Sequence, residues 1–207
     1  DGSPATVSRC QFTDNRTHLR VRSAKATVTD NTLLDRTYFP IRCLPQAVEH
    51  LVENNSYSLS DDGRYNGIYV EVGIISDSTV WPVLPDSFVY FLDGYDYSVY
   101  VGGDSNPEWR IEPGAILKLR QPYDLNWGDR ECYLQIANGI LTARGVHFTA
   151  WTDDSLGGDT DGGGPSTGNP GYWSSIYFTA SADSSSILDS CFIRYAGNPS
   201  LNSADAA

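Results

Sequence analysis

The stretch Ala5-Thr6-Val7-Ser8-Arg9-Cys10-Gln11-Phe12 returns as Ala26-Thr27-Val28-Thr29-Asp30-Asn31-Thr32-Leu33, 21 residues further on. Val7 falls on Val28, Cys10 on Asn31 and Phe12 on Leu33. Near the other end, Ile187-Leu188-Asp189-Ser190-Cys191-Phe192-Ile193 has the same outline, with Leu188 answering Val7, Cys191 answering Cys10 and Ile193 answering Phe12. A repeat of about 20–25 residues built from short β-segments without a helix suits a β-solenoid, in which each turn of chain buries its apolar face on the next.

The rest of the chain keeps this rhythm. Apolar, β-branched and aromatic runs predict strands at Gly67–Val72, Phe88–Phe91, Tyr97–Val101, Ala115–Leu119, Cys132–Ile136, Val146–Ala150 and Ser175–Thr179. Asn66-Gly67 and Asn138-Gly139 are turn pairs suited to left-handed corners. Only Pro45–Glu53 has helical periodicity, and it reads as one short excursion. Residues 153–171 hold seven Gly and four Asp with almost no aliphatic side chain, which predicts a long loop projecting from one coil. No linker or second domain is evident, so residues 1–207 are expected to form a single domain.

Composition agrees and excludes several function classes. The 207 residues include 40% hydrophobic and 19% charged side chains, enough to bury a core. With 14 Lys and Arg against 26 Asp and Glu the formal charge is −12, which would repel a nucleic-acid backbone. No apolar run approaches the ~18 residues of a membrane span. The chain opens Asp-Gly-Ser-Pro and contains no Met, which reads as a processed chain or an excised piece. Cys10, Cys43, Cys132 and Cys191 show no metal-binding C-x-x-C spacing. Asn15-Arg16-Thr17 and Asn54-Asn55-Ser56 are glycosylation-type sequons, making Asn15 and Asn54 candidate glycan acceptors. Together these features predict a secreted, extracellular or cell-surface protein.

Between about Thr79 and Gly197 the chain resembles bacterial secreted right-handed parallel β-helix proteins of the pectate-lyase-like type. Trp109-Arg-Ile111-Glu-Pro113-Gly114-Ala115-Ile-Leu-Lys118 is similar to that family's W-x-I-x-P-G-x-x-x-K coil. Phe148-Thr-Ala-Trp-Thr-Asp153-Asp154-Ser-Leu-Gly157-Gly158-Asp159-Thr160-Asp161-Gly162 resembles its F-T-S-x-x-D-D-S-x-G-G-D-T-N-G-D-G loop. Pro170-Gly171-Tyr172-Trp173-Ser-Ser-Ile176-Tyr-Phe178 and Ile193-Arg194-Tyr195-Ala196-Gly197 continue the likeness. The resemblance implies an all-β, right-handed parallel β-helix and says little about activity, because a fold does not give a function.

Asp159-x-Asp161-x-Gly163-Gly164 follows the start of a calcium loop, and Asp153 and Asp154 could complete its oxygen shell. Gly163 stands where the family has a third acidic ligand, so calcium there would order the loop with one side-chain oxygen fewer. The inventory for catalysis is thin: His18, His50 and His147 belong to no triad or metal motif, and loop pairs such as Asp61-Asp62 are common. Arg110, Lys118, Arg120 and Arg144 could flank a groove, but outward charges are the default. Among the aromatics, Tyr90, Tyr95, Tyr97, Tyr100, Trp109, Trp127, Trp151, Tyr172, Trp173 and Tyr177 could stack sugars, although such rings more often fill the core or prop loops.

The two ends carry the functional expectation. Neither reads as a cap, although an open last coil would expose edge strands and core. Joined end to end, Cys191 of one copy and Cys10 of the next fall 26 positions apart, about one coil. The expectation is a non-enzymatic subunit of an extracellular filament or surface fibre, its partner a second copy. Ala5, Val7, Cys10 and Phe12 would meet Leu188, Cys191 and Ile193, and Cys10 could bond Cys191. The alternative is a polysaccharide-binding or polysaccharide-cleaving β-helix.

Overall fold

The computed structural model describes residues 4–60, 64–85, 88–94, 98–120 and 132–197. The chain is an all-β parallel β-helix. It winds through seven passes: β1 (Ala5–Ser8), β2 (Gln11–Phe12) and β3 (Leu19–Val21); β4 (Ala26–Thr29), β5 (Thr32–Leu33) and β6 (Ile41–Cys43); a 3₁₀ helix (Pro45–His50), β7 (Ser56–Tyr57) and β8 (Gly67–Val70); β9 (Gly73–Ile75), β10 (Thr79–Trp81) and β11 (Val89–Asp93); β12 (Val99–Val101), β13 (Glu108–Ile111) and β14 (Ile116–Arg120); β15 (Leu134–Ile136), β16 (Ile140–Arg144) and β17 (His147–Ala150); β18 (Ile176–Phe178), β19 (Ile187–Asp189) and β20 (Phe192–Ile193). One seven-stranded sheet, β3-β6-β8-β11-β14-β17-β20, runs through every pass, and the described strands all pair in parallel. No described helix is long and apolar enough to cross a membrane.

The opening repeat is a structural register. Ala5 pairs with Ala26, Val7 with Val28 and Phe12 with Leu33. At the corner between them Arg9 and Asp30 both adopt a left-handed backbone; the next residue is buried in the second pass, Asn31, and exposed in the first, Cys10. There a buried amide ladder replaces strand pairing. Asn31 accepts from the Cys10 N–H at 3.0 Å and donates to the Val7 and Thr29 carbonyls at 2.9 Å, while Asn55 repeats the pattern one pass on. Buried backbone groups that leave the sheet at a corner need such partners.

The third copy keeps this local geometry in a different place. Ser190 is left-handed, and the Cys191 thiol donates to the Ala143 and Asp189 carbonyls as Asn31 donates to Val7 and Thr29. Its strands, however, lie elsewhere: β19 extends the β10-β13-β16 sheet and β20 the seven-stranded one, whereas β1 and β2 belong to short sheets of two and three strands.

Alternation puts one face of each strand in the core, as in β13, where Trp109 and Ile111 are buried and Arg110 is exposed. Trp81 stacks edge-on against Trp109 at 4.8 Å and its indole N–H reaches the Pro45 carbonyl at 3.2 Å. That bond ties the third pass to the fourth, where the 3₁₀ helix packs against β4, β9 and β10. The expected helical excursion is therefore six residues of 3₁₀ helix, ended at His50 and Leu51. Strands β3, β6, β9, β10, β13 and β16, three to five residues each, were not expected from hydrophobic runs. Asn138 has the expected left-handed corner, but at Asn66-Gly67 the left-handed residue is Tyr65. Gly67 instead enters β8, where a Cβ would stand 2.2 Å from the Val89 carbonyl oxygen.

Candidate functional site

The outer face of the seven-stranded sheet carries the acidic loop. Phe91, Lys118 and Thr149 sit side by side on β11, β14 and β17. A lysine between Phe and Thr needs partners once covered, and the loop supplies them: Lys118 Nζ donates to the Gly158 carbonyl at 2.9 Å and to Thr160 Oγ1 at 2.7 Å. Burial pushes its pKa down to about 8, against the upward pull of Asp154, Asp153, Asp161 and Asp159. Across the loop, Arg64 Nη2 donates to the Gly162 carbonyl at 2.7 Å and the Tyr65 N–H to the Thr160 carbonyl at 3.1 Å. Thus the loop is fastened both to the sheet beneath it and to the corner before β8.

The four expected metal ligands separate into a group of three and one outsider. Asp154, Asp159 and Asp161 each bring one carboxylate oxygen within 4.8 Å of the others. Asp159 accepts the Gly162 and Gly164 N–H groups at 2.7 and 3.0 Å, and Asp161 accepts that of Gly163 at 2.8 Å. Burial raises both carboxyls, but hydrogen bonds from Asp161, Gly162 and Gly164 leave Asp159 below its ordinary value. Asp161, burdened by burial and its bond to Asp159, stays above it. The pair is thus suited to share a proton or a cation. Asp154 binds Ser166 through Oδ2, while its buried Oδ1 has no partner. Asp153 takes no part. It is buried, and it accepts the Thr149 hydroxyl at 2.5 Å and the Ser155 hydroxyl at 2.6 Å. Burial would raise its pKa, but Ser155, Thr149 and nearby Arg194 hold it below the ordinary value.

The remaining candidates are scattered. Asn15 and Asn54 are both exposed. Ala5, Val7, Cys10 and Phe12 lie on the first pass, and Leu188, Cys191 and Ile193 on the last, at opposite ends of the stack. His147 stacks on Phe192 with ring centroids 4.8 Å apart. Tyr90, Trp109 and Trp173 are buried in the core and Trp151 beside Phe39 and Phe91, so four of the seven described candidates for sugar stacking serve packing. Tyr95, Tyr97, Trp127, Asp61 and Asp62 lie outside the described residues. Arg110 and Arg144 are exposed and pair with Glu112 and Asp189.

Two features were not expected from the sequence. Arginines 20, 22 and 42 gather around Glu71 on the outer face of the seven-stranded sheet, from separations of up to 51 residues that no local motif marks. The other is the state of the last pass. Along three inward ladders, Ile75-Val101-Ile136, Trp81-Ile111-Ala143 and Ile41-Ile68-Tyr90-Leu117-Phe148, every residue is buried. Their next members, Phe178, Leu188 and Ile193, are 38%, 38% and 47% exposed. No family model, curated protein or solved structure matches the chain.

Proposed function

We propose that this protein is a structural subunit that assembles head to tail into an extracellular filament or surface fibre, the last pass of one copy stacking on the first pass of the next. The observation that carries this reading is the abrupt exposure of Phe178, Leu188 and Ile193, at positions buried in the preceding passes. One more layer of β-strand would bury them and pair the outer edges of β18, β19 and β20, which no described strand covers, and this is how parallel stacks grow. At the other end Val7, Phe12 and Leu19 are only partly buried, offering a matching apolar layer. A contact between two different surfaces of one molecule propagates unless its rotation closes.

A register that sets Ser190-Cys191 over Arg9-Cys10 matches two left-handed corners, and it joins β19 and β20 to the short sheets of β1 and β2 instead of continuing the seven-stranded sheet onto β3. A disulfide could lock that joint in an oxidising setting. Glycans on Asn15 and Asn54 and calcium on the acidic loop are accessory parts of the proposal. Electron microscopy of the purified protein tests it. Filaments with an axial repeat of roughly 34 Å, seven passes at ~4.8 Å each, are expected. Ile193→Asp should abolish them while leaving the fold intact. Single rods at high concentration would overturn the reading in favour of a polysaccharide-binding or polysaccharide-cleaving β-helix.

A further inference from the structure

The outward row of the seven-stranded sheet begins with two arginines, Arg20 beside Arg42, followed by Tyr69 and Phe91. Like charges on neighbouring strands repel. Glu71 relieves them, accepting Arg20 Nε and Nη2 at 2.7 and 2.9 Å, with Arg42 Nη2 at 3.3 Å and Arg22 Nε at 3.9 Å. One carboxylate therefore serves three guanidinium groups, and positive charge is left over in a chain of net charge −12.

Beside this cluster opens a recess of about 420 Å³ lined by Arg16, Thr17, Arg20, Tyr38 and Arg42, with no acid among the described lining residues. Arg16 lies over the ring of Tyr38 at 5.5 Å and Arg42 over that of Tyr69 at 4.5 Å. Stacking fixes the guanidinium planes without spending their N–H donors. Arg16 has no hydrogen bond or ion pair with a described residue, and Arg42 Nε is buried without a partner.

We propose that this recess binds a tetrahedral oxyanion, a sulfate or phosphate group, through Arg16, Arg20 and Arg42 with the Thr17 hydroxyl alongside. Donors arrive from three places: the segment between β2 and β3, β3 itself, and β6. A tetrahedral ester presents three free oxygens to such a ring, whereas a carboxylate presents two. Binding here does not rest on the filament, although Arg16, Thr17 and Arg20 lie on the first pass, beside the proposed joint.

Isothermal titration of the whole chain with sodium sulfate and sodium phosphate, at ionic strength held with chloride, reads it directly. Saturable binding is expected for at least one. Arg16→Gln, an exposed change that spares the Glu71 cluster, should weaken it at least tenfold, and Arg42→Gln likewise. Arg22→Gln, outside the recess, should change it less than twofold. Dextran sulfate that competes with inorganic sulfate, where neutral dextran does not, would identify a sulfated glycan as the source; phosphate binding that dextran sulfate leaves untouched would identify a phosphate compound. Absence of saturable binding overturns the proposal. So does an Arg22→Gln loss as large as that of Arg16→Gln, which would mean a diffuse potential, or equal binding of a polyuronate, which would remove the tetrahedral preference.

Discussion

Lys118 donates a 2.7 Å hydrogen bond to the hydroxyl of Thr160, 42 residues further on, and both side chains are buried. Lys118→Met should leave that hydroxyl and the Gly158 carbonyl unpartnered, costing about 1–3 kcal/mol and speeding proteolytic cleavage within residues 153–171. The pH dependence has a definite sign. Because burial holds the folded pKa near 8, below the ordinary 10.5, the unfolded chain keeps more protons between those values. Wild-type stability relative to Lys118→Met should therefore rise with pH across that window, by at most about 1.4 kcal/mol per unit. Denaturant melts at several pH values check this, and a flat difference would sink it.

The paired residues Phe148 and Ile193 separate folding from assembly. Phe148→Ala should cost about 3–5 kcal/mol by opening a core cavity. In the unassembled protein Ile193→Ala should cost only about 1 kcal/mol, since about half of the side chain is exposed. Equal losses in urea melts of dilute protein would show that the last pass is already covered.

Asn31→Ala should destabilise by about 2–3 kcal/mol, because it strips partners from the Cys10 N–H and the Val7 and Thr29 carbonyls in the buried corner. Glu53→Ala, at an exposed neighbour of the same ladder with an ordinary backbone, should cost under about 1 kcal/mol. Thermal melts of the two variants that agreed would deny the ladder its role.

Thiol chemistry should divide the cysteines two and two. Cys10 and Cys191 are accessible, whereas Cys43 and Cys132 are buried, and burial lifts both buried thiols, Cys132 to about 12. A thiol reagent should titrate two groups in the native protein and four after denaturation. Cys10→Ser and Cys191→Ser should weaken oxidised filaments to the same degree; unequal losses would mean that these two are not partners.

Calcium should raise the melting temperature by a few degrees through binding to the folded loop, and the double change Asp159→Asn with Asp161→Asn should remove the gain. Asp153→Asn should lower stability while keeping the response to calcium, because Asp153 is held by Thr149 and Ser155 outside the three-carboxylate group. A calcium response that survives the double change would exclude this site.

Ala5-to-Phe12 against Ala26-to-Leu33 was readable from sequence as a stack because strands repeating in register must repeat their side-chain pattern. The acidic loop was readable from its Gly and Asp content, which leaves it almost no aliphatic side chain for the core. Residues 41–43, 79–81 and 140–144 escaped because three to five residues of strand leave too little alternation to see. Tertiary structure alone decided that Lys118 faces the loop, that Asp153 turns away from the other carboxylates and that Arg16, Arg20 and Arg42 share a recess. Each depends on which residue of one pass lies above which of the next. Insertions at the corners set that registration: Leu19 is 22 positions from Ile41, and Phe148 is 45 from Ile193. The repeat fixes that passes stack; the lengths of the corner segments fix what meets what.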